Sequence, residues 1–376
     1  MSTAQSHPRR LLLIAAEVFG TGGIQRFNQT ILAAYGRQNV TCRVLSLKDS
    51  AKSITAGSAY PNATVTGYCG SRLRFAAAVT SELWSGRYDW VLVGHINFLS
   101  LVVAGLELKT AKRRPPLALF AHGIEVWQGI GRLRRIALSR TDKILCVSGY
   151  TRRRILDQSP RLRPERLTVF PNALSEAWRD IVGAPSIDIF PARFILSVTR
   201  LERSDRYKGI VTVIEALSML SDDGMHYCVV GRGDDLAFLR QVATRLGVEH
   251  RVHFLQNAKD ADLATLYKRC SAFVLPSGKE GFGIVYLEAM YFGAPVIAAA
   301  TKGTLDVVRD GETGLLVPFG DSAAVKDAIE RIEASPDLRG RLRDAGRATV
   351  VDGGVFTFSR FAERCTDILA LRDAAA

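Results

Sequence analysis

Two carboxylates, Glu280 and Glu288, stand eight residues apart in the stretch GKEGFGIVYLEAMYFGAPV, residues 278–296. Glycines crowd the first, and apolar residues fill most of the interval. The stretch reads as a loop after the buried run FVLPS, then a helix that starts near Gly281–Gly283 and stops before Gly293 and Pro295. That helix is apolar nearly all round, so it belongs between a sheet and its neighbours. Only its N-terminal end, carrying Glu280, and the interior Glu288 need to meet a ligand. At about 1.5 Å per residue the two lie roughly 12 Å apart, the span from a hexose past a diphosphate to a ribose. Backbone N–H groups of Phe282, Gly283 and Ile284 are open at the helix start and suit phosphate or sugar oxygens. A buried carboxylate needs donors. The two hydroxyls of a ribose would serve Glu288, and a salt bridge to an arginine is the alternative.

A second set of charges fits the same chemistry. In SVTRLERSDRYKGI, residues 197–210, Arg200 follows an apolar run and Lys208 with Gly209 opens the next helical segment. Two cations converging on a helix N-terminus form a diphosphate clamp, the guanidinium bidentate and the ammonium a point charge. The turn VVGRGDD, with Gly231, allows close approach by a flat base or a ribose. Near the start of the chain, EVFGTGGIQRF places Gly22 and Gly23 before a helix, where backbone can approach an anion. It is not a clean GxGxxG, so a nicotinamide-binding reading is weak, and a tight structural turn is the plain alternative. His122 in AHGIEVW follows a buried run directly and would point to the ligand side; a lone histidine is more often a satisfied core residue. The one DxD match, Asp260 and Asp262 in AKDADLATLY, reads as a helix N-terminal cap and not a metal site.

These loops must be held by sheets. Apolar runs alternate with helical segments throughout, from LLLIAA (11–16) to LTVF (167–170) and again from FILSVT (194–199) to GLLVP (314–318). Continuous Val/Ile/Leu runs mean strands buried on both faces, hence parallel sheets covered by helices. The expected class is α/β, with two doubly wound Rossmann-like domains facing across a cleft: residues 1–180 and 190–356, joined through 172–193. A last helix within 357–376 has room to return to the first domain. In open parallel sheets ligands bind beyond the carboxyl ends of the strands, which is where the loops above fall.

Composition narrows the class. Hydrophobic residues make 47% of the 376 and charged residues 23%, which excludes a disordered chain. The longest apolar stretches are too short to span a bilayer, and the N-terminus runs into a buried-strand pattern without a secretory cleavage site. A cytosolic start is expected. The six cysteines (Cys42, Cys69, Cys146, Cys228, Cys270 and Cys365) form no CxxC pair and read as reduced, buried thiols. The net charge of +13 is one-sided: residues 1–190 carry 26 Lys and Arg against 12 Asp and Glu. It is densest in RLRRIALSR (132–140) and 152–166. Such a field attracts a polyanion, and with no nucleic-acid signature among these arginines an anionic membrane surface ranks above nucleic acid. Ile130, Leu133 and Ile136 recur at spacing three beside Arg132, Arg134 and Arg135, as in a segment lying at a headgroup surface.

With these residues in place, the chain resembles family 4 of the retaining glycosyltransferases, the group 1 enzymes with the GT-B fold. EGFGIVYLEA looks like the family's E-x7-E signature. RYKG, VVGRG, HFLQN, GAPVIAAATKGTLDVVRDGETGLLV and the GTGG and AHG loops follow the expected order. The resemblance is strongest over 194–320. It implies that Glu280 touches the donor sugar, Glu288 the ribose, and Arg200 and Lys208 the diphosphate. It further implies that His122 borders the transferred sugar, that Gly22 and Gly23 close on the ligands, and that Gly231, Asn257, Phe282, Gly283 and Ile284 line the nucleotide-sugar site. The donor would be a UDP- or GDP-sugar, with no separate cofactor and no metal. The acceptor would be a saccharide, lipid-linked, at the inner face of the cell membrane. The link LERSDRY between Arg200 and Lys208 is longer than in many relatives. A nucleotide-sugar 2-epimerase of the same architecture is the nearest rival, told apart by whether donor alone is turned over. A nucleic-acid-binding protein is the more distant one, told apart by steeply salt-dependent binding.

Overall fold

The structure is a computed structural model that describes residues 9–20, 22–56, 60–110, 114–179, 181, 191–351 and 353–370. The start of the chain (1–8) and part of the connection read at 172–193 (180 and 182–190) lie outside the described residues. The chain divides into two compact units, Met1–Ser175 with Phe358–Ala376, and Glu176–Thr357.

The first unit is a seven-stranded parallel sheet. Its strands are β1 (Arg10–Ala15), β2 (Thr41–Ser46), β3 (Ala63–Gly67), β4 (Trp90–Val93), β5 (Leu117–Ala121), β6 (Lys143–Cys146) and β7 (Leu167–Val169). They lie in the order β3-β2-β1-β4-β5-β6-β7. The central strands are buried over their whole length, as their apolar runs require. β3 was not expected from the sequence. It is an edge strand with half-exposed residues, ATVTG, and an edge needs no continuous apolar run.

The helix Phe358–Ala370 belongs to this unit. Phe361, Cys365 and Ile368 enter the same core cluster as Phe27 and Tyr35 of the helix Gly23–Arg37. Gln38 Nε2 donates to the Ala362 carbonyl at 2.7 Å and an Arg364 guanidinium nitrogen to the Pro171 carbonyl at 3.2 Å. Five cysteines are buried, as expected; Cys69 is exposed, because it lies in the turn after the half-exposed edge strand, with φ +50°. All six are free thiols.

The second unit holds β8 (Phe194–Val198), β9 (His226–Val230), β10 (Val252–Leu255), β11 (Ala272–Leu275), β12 (Val296–Ala299) and β13 (Leu315–Val317). They form a parallel sheet ordered β10-β9-β8-β11-β12-β13. Strand order reverses between β1 and β4 in the first unit and between β8 and β11 in the second. Loops leaving such a reversal splay apart and open a crevice. Arg200 and Lys208 follow β8, and Glu280 follows β11. No helix among the described residues is long and apolar enough to cross a membrane.

Candidate active site

The reversal in the second sheet brings two expected residues together. Lys208 Nζ lies 2.7 Å from Glu280 Oε2, and each side chain is 14% exposed. Lys208 ends a short 3-10 helix, Arg203–Lys208, and Glu280 sits in the loop leading to the helix Ile284–Phe292. That loop is fixed from beneath. Thr301 Oγ1 donates to the Ser277 carbonyl (2.7 Å), Lys302 Nζ to the Gly278 carbonyl (2.8 Å), and the Gly303 N–H to the Glu280 carbonyl (3.1 Å). Gly283 then turns the chain into the helix with φ +91°, where an added Cβ would also run into the Tyr286 ring. A near-buried pair of opposite charges at this distance attracts by about 6 kcal/mol at an effective dielectric of about 20, before the cost of desolvating both groups.

The helix starts at Ile284, so half of the interval from Glu280 to Glu288 is loop and not helix. The roughly 12 Å expected for continuous helix therefore does not apply. Phe282 is buried and packs edge-on against Phe356 at 5.5 Å. Glu288 is 4% exposed. One carboxylate oxygen accepts from Trp178 Nε1 at 3.2 Å and the other from Tyr267 Oη at 3.1 Å. Trp178, Tyr267 and Phe292 surround it as an aromatic cluster. Neither Trp178 nor Tyr267 was singled out from the sequence. Each is an ordinary core aromatic by pattern, and nothing local ties it to a carboxylate at position 288.

Arg200, like Lys208, has a carboxylate partner. Its Nη2 lies 2.9 Å from Asp205 Oδ2, with the arginine side chain 68% exposed and the aspartate 6%. The longer link folds back as a turn and supplies Arg200 with a carboxylate of its own, while Lys208 takes Glu280 from the loop after β11. Gly231 lets the β9 loop pass close to the chain after β8, since a Cβ there would overlap the Thr199 carbonyl. Asn257 Oδ1 accepts from an Arg232 guanidinium nitrogen. Asp262 is buried and accepts from the Lys259 backbone N–H at 2.8 Å, the capping role expected for it. Among the described residues no group of three or more His, Cys, Asp or Glu side chains is placed to hold a metal ion.

In the first unit, the loops at the sheet reversal carry Gly22 and Gly23 after β1 and Gly94 after β4. Gly22 precedes the helix Gly23–Arg37 and accepts its first turn's Arg26 N–H at 3.0 Å. Asp49, which the sequence reading passed over, fixes the start of this loop. Its buried carboxylate accepts the N–H of Val18 (2.7 Å) and of Phe19 (3.2 Å).

His122 follows β5. Its Nε2 lies 3.0 Å from the Gly94 carbonyl, and its ring packs edge-on against Phe27 at 4.9 Å. A carbonyl only accepts, so Nε2 carries the proton and Nδ1 keeps its lone pair. Glu125 Oε1 accepts the backbone N–H groups of His122 and Gly123, at 2.6 and 3.1 Å. Burial pushes the His122 imidazole down to about 4. In the unfolded chain it titrates near 6.5, so between about 6.5 and about 4 the unfolded state takes up a proton that the folded state does not. Stability from this residue is therefore intact above about 6.5 and is lost as pH falls to about 4, by at most about 3 kcal/mol. Urea unfolding at pH 7 and pH 4.5 should show a smaller loss for His122→Gln than for wild type. Equal losses would mean the ring is not held neutral.

The basic segment forms the helix Arg132–Ser139. Its three apolar residues do not share one side. Ile130 precedes the helix and is buried, while Leu133 (74%) and Ile136 (50%) are exposed among the arginines. Ala137 and Leu138 are the buried positions of this helix.

Comparison with known proteins agrees with this arrangement. The profile of the "Glycosyltransferase Family 4" domain matches residues 21–177, and that of "Glycosyl transferases group 1" matches residues 191–349. Among curated relatives, the lipopolysaccharide core biosynthesis glycosyltransferase LpsE of Rhizobium meliloti is 35% identical over 163 residues, 43% of this chain and 46% of the relative. The phosphatidyl-myo-inositol mannosyltransferase of Mycobacterium leprae is 37% identical over 174 residues, 45% of each chain. The chain spans about half the length of these curated relatives. Among solved structures, Anabaena HepE in complex with UDP and glucose superposes with a TM-score of 0.78 at 20% identity, over 96% of this chain and 99% of that one. Sucrose-phosphate synthase from Thermosynechococcus elongatus also gives 0.78 at 20% identity, over 98% and 100%. Two family profiles fall on the two sheets in turn, and a backbone shared end to end joins them: the chain belongs to the group 1 glycosyltransferases and carries the GT-B fold.

Proposed function

We propose that the protein is a retaining hexosyltransferase that moves a hexose from a UDP- or GDP-sugar to a hydroxyl of a lipid-linked saccharide. The observation that carries this is the pairing of Lys208 with Glu280 at the sheet reversal, just before the helix Ile284–Phe292. A cation, a carboxylate and free helical N–H groups at one place suit a sugar diphosphate. The diphosphate draws Lys208 from Glu280, and the released carboxylate accepts sugar hydroxyls. As the bond from C1 to the diphosphate oxygen breaks, negative charge grows on the leaving group. Arg200, Lys208 and the N–H groups of residues 282–284 stabilise it. The acceptor hydroxyl enters on the face the leaving group departs from, and the leaving phosphate takes its proton. Neither a side-chain nucleophile nor a metal is needed in this scheme. Gly22, Gly23 and His122 serve the acceptor side.

A thermal-shift series with UDP-, GDP- and ADP-sugars tests the reading, since a ligand at a hundred times its Kd stabilises by about 2.7 kcal/mol. One nucleotide series should raise the midpoint, and turnover should be unchanged by EDTA. No shift with any nucleotide sugar, or activity abolished by EDTA and restored by manganese, would overturn it.

The membrane part of the proposal rests on the helix Arg132–Ser139, with Leu133 and Ile136 outward among arginines. We expect co-sedimentation with anionic and not neutral vesicles. Replacing Arg132, Arg134 and Arg135 by Glu should weaken it by about 1 kcal/mol or more for each charge, and high salt should mimic the change. Equal sedimentation with both vesicle types, or with neither, would leave the acceptor a soluble molecule.

A further inference from the structure

The sequence offers four cations between Arg200 and Lys208, RLERSDRYK, and gives no way to sort them. The structure sorts them by partner. Arg206 is consumed internally. Its Nε and Nη2 donate to the two oxygens of Asp235 at 2.8 and 2.6 Å, and its guanidinium lies 3.7 Å from the Phe238 ring centroid. Asp235 is 2% exposed. The Arg203 backbone N–H donates to Asp234 Oδ1 at 2.8 Å. These contacts tie the extra turn to the loop after β9.

Asp205 stands in the middle of that turn and is itself buried. Its backbone N–H donates to the Glu202 carbonyl at 2.8 Å, closing the turn, and its carboxylate is 2.9 Å from the largely exposed Arg200. Arg200, Asp205, Arg206 and Asp235 line one small depression. Tyr207 stands near the same carboxylate; burial first, then the charge of Asp205, pushes its phenol up. Tyr207 is in turn fixed at its backbone, where its carbonyl accepts the Gly278 N–H at 2.7 Å from the loop that carries Glu280.

A free arginine on the surface explores many rotamers, and fixing one costs conformational entropy. A buried carboxylate that already engages one guanidinium nitrogen removes most of that cost from ligand binding and leaves the remaining N–H donors for phosphate. From this geometry we infer that Asp205 is a positioning residue for the donor diphosphate, acting through Arg200, and that the Arg206–Asp235 pair holds the turn that presents it. The inference rests on the proposed nucleotide-sugar site.

The test compares UDP with uridine, and GDP with guanosine, by calorimetry on the wild type, Asp205→Asn, Asp205→Glu, Arg200→Ala and the double variant Arg200→Ala/Asp205→Asn. Turnover is measured alongside as kcat and KM. Asp205→Asn should weaken the diphosphate about three- to tenfold, raise KM for the donor, and leave the nucleoside unchanged. Asp205→Glu should recover part of the loss. In the Arg200→Ala background the second substitution should have no further effect on diphosphate affinity. A ratio of diphosphate to nucleoside affinity that stays at the wild-type value in Asp205→Asn would overturn the inference, as would full additivity in the double variant. Wild-type protein that binds neither UDP nor GDP would instead overturn the donor site itself, and the inference with it.

Discussion

Lys208→Ala is expected to reduce turnover by about two to three orders of magnitude, the loss typical for removing a donor aimed at developing negative charge. The structure adds a second consequence. Glu280 is 14% exposed and paired with Lys208, so the variant leaves a near-buried carboxylate without its cation. Breaking a pair at that depth costs up to about 3 kcal/mol of stability, because the remaining charge keeps its desolvation penalty. The two effects separate in a double variant. Lys208→Ala/Glu280→Gln should regain most of the lost midpoint in thermal unfolding and none of the turnover. Arg200→Ala gives the contrasting case. Its side chain is 68% exposed, and an exposed ion pair contributes about 0–1 kcal/mol. Turnover should fall by a similar two to three orders of magnitude with little change in unfolding midpoint. Turnover of Lys208→Ala within tenfold of wild type at saturating donor would remove the lysine from the leaving-group site.

Glu288→Ala should weaken nucleotide-sugar binding by about 1–3 kcal/mol, the range for leaving a buried polar partner unmet. Here too the structure changes what must be measured. Both oxygens of Glu288 accept hydrogen bonds, from Trp178 and from Tyr267, so truncation takes an acceptor from two buried donors. The fold should persist with a stability loss of about 2–4 kcal/mol, and that loss alone could lower affinity. A ligand that lacks one hydroxyl separates the causes. If Glu288 holds the ribose, a 2′-deoxynucleotide binds wild type less well than the ribonucleotide, and the difference shrinks in Glu288→Gln. A difference that is the same in wild type and variant would confine Glu288 to holding Trp178 and Tyr267. Trp178 emission follows the same question, because its indole N–H is bonded to the carboxylate in question.

The strands were legible because a strand buried on both faces must be written as a continuous apolar run. β8, β11 and β12 appear in the sequence as FILSVT, AFVLP and PVIAA, within a residue or two of their observed ends. β3 was not legible, since an edge strand half in solvent is under no such constraint. The loops were legible for a related reason. Glycine next to charge at the end of an apolar run marks a turn into the next helix, as at Gly209 with φ +80° and Gly283 with φ +91°.

What the sequence by itself determined was the two-sheet plan and which charges belong at the strand ends, because burial patterns and glycine placement are local properties. Partnership is not local. That Lys208 meets Glu280, 72 residues away, that Arg200 turns to Asp205, and that Arg206 is spent on Asp235 depends on which loops leave the reversal between β8 and β11 side by side. The same holds for Glu288, whose donors come from Trp178, 110 residues earlier, and Tyr267. A charge in the sequence states that a partner is required. Only the order of strands in the sheet decides which one is within reach, since a hydrogen bond or ion pair forms over about 3 Å and the chain says nothing at that range about residues so far apart.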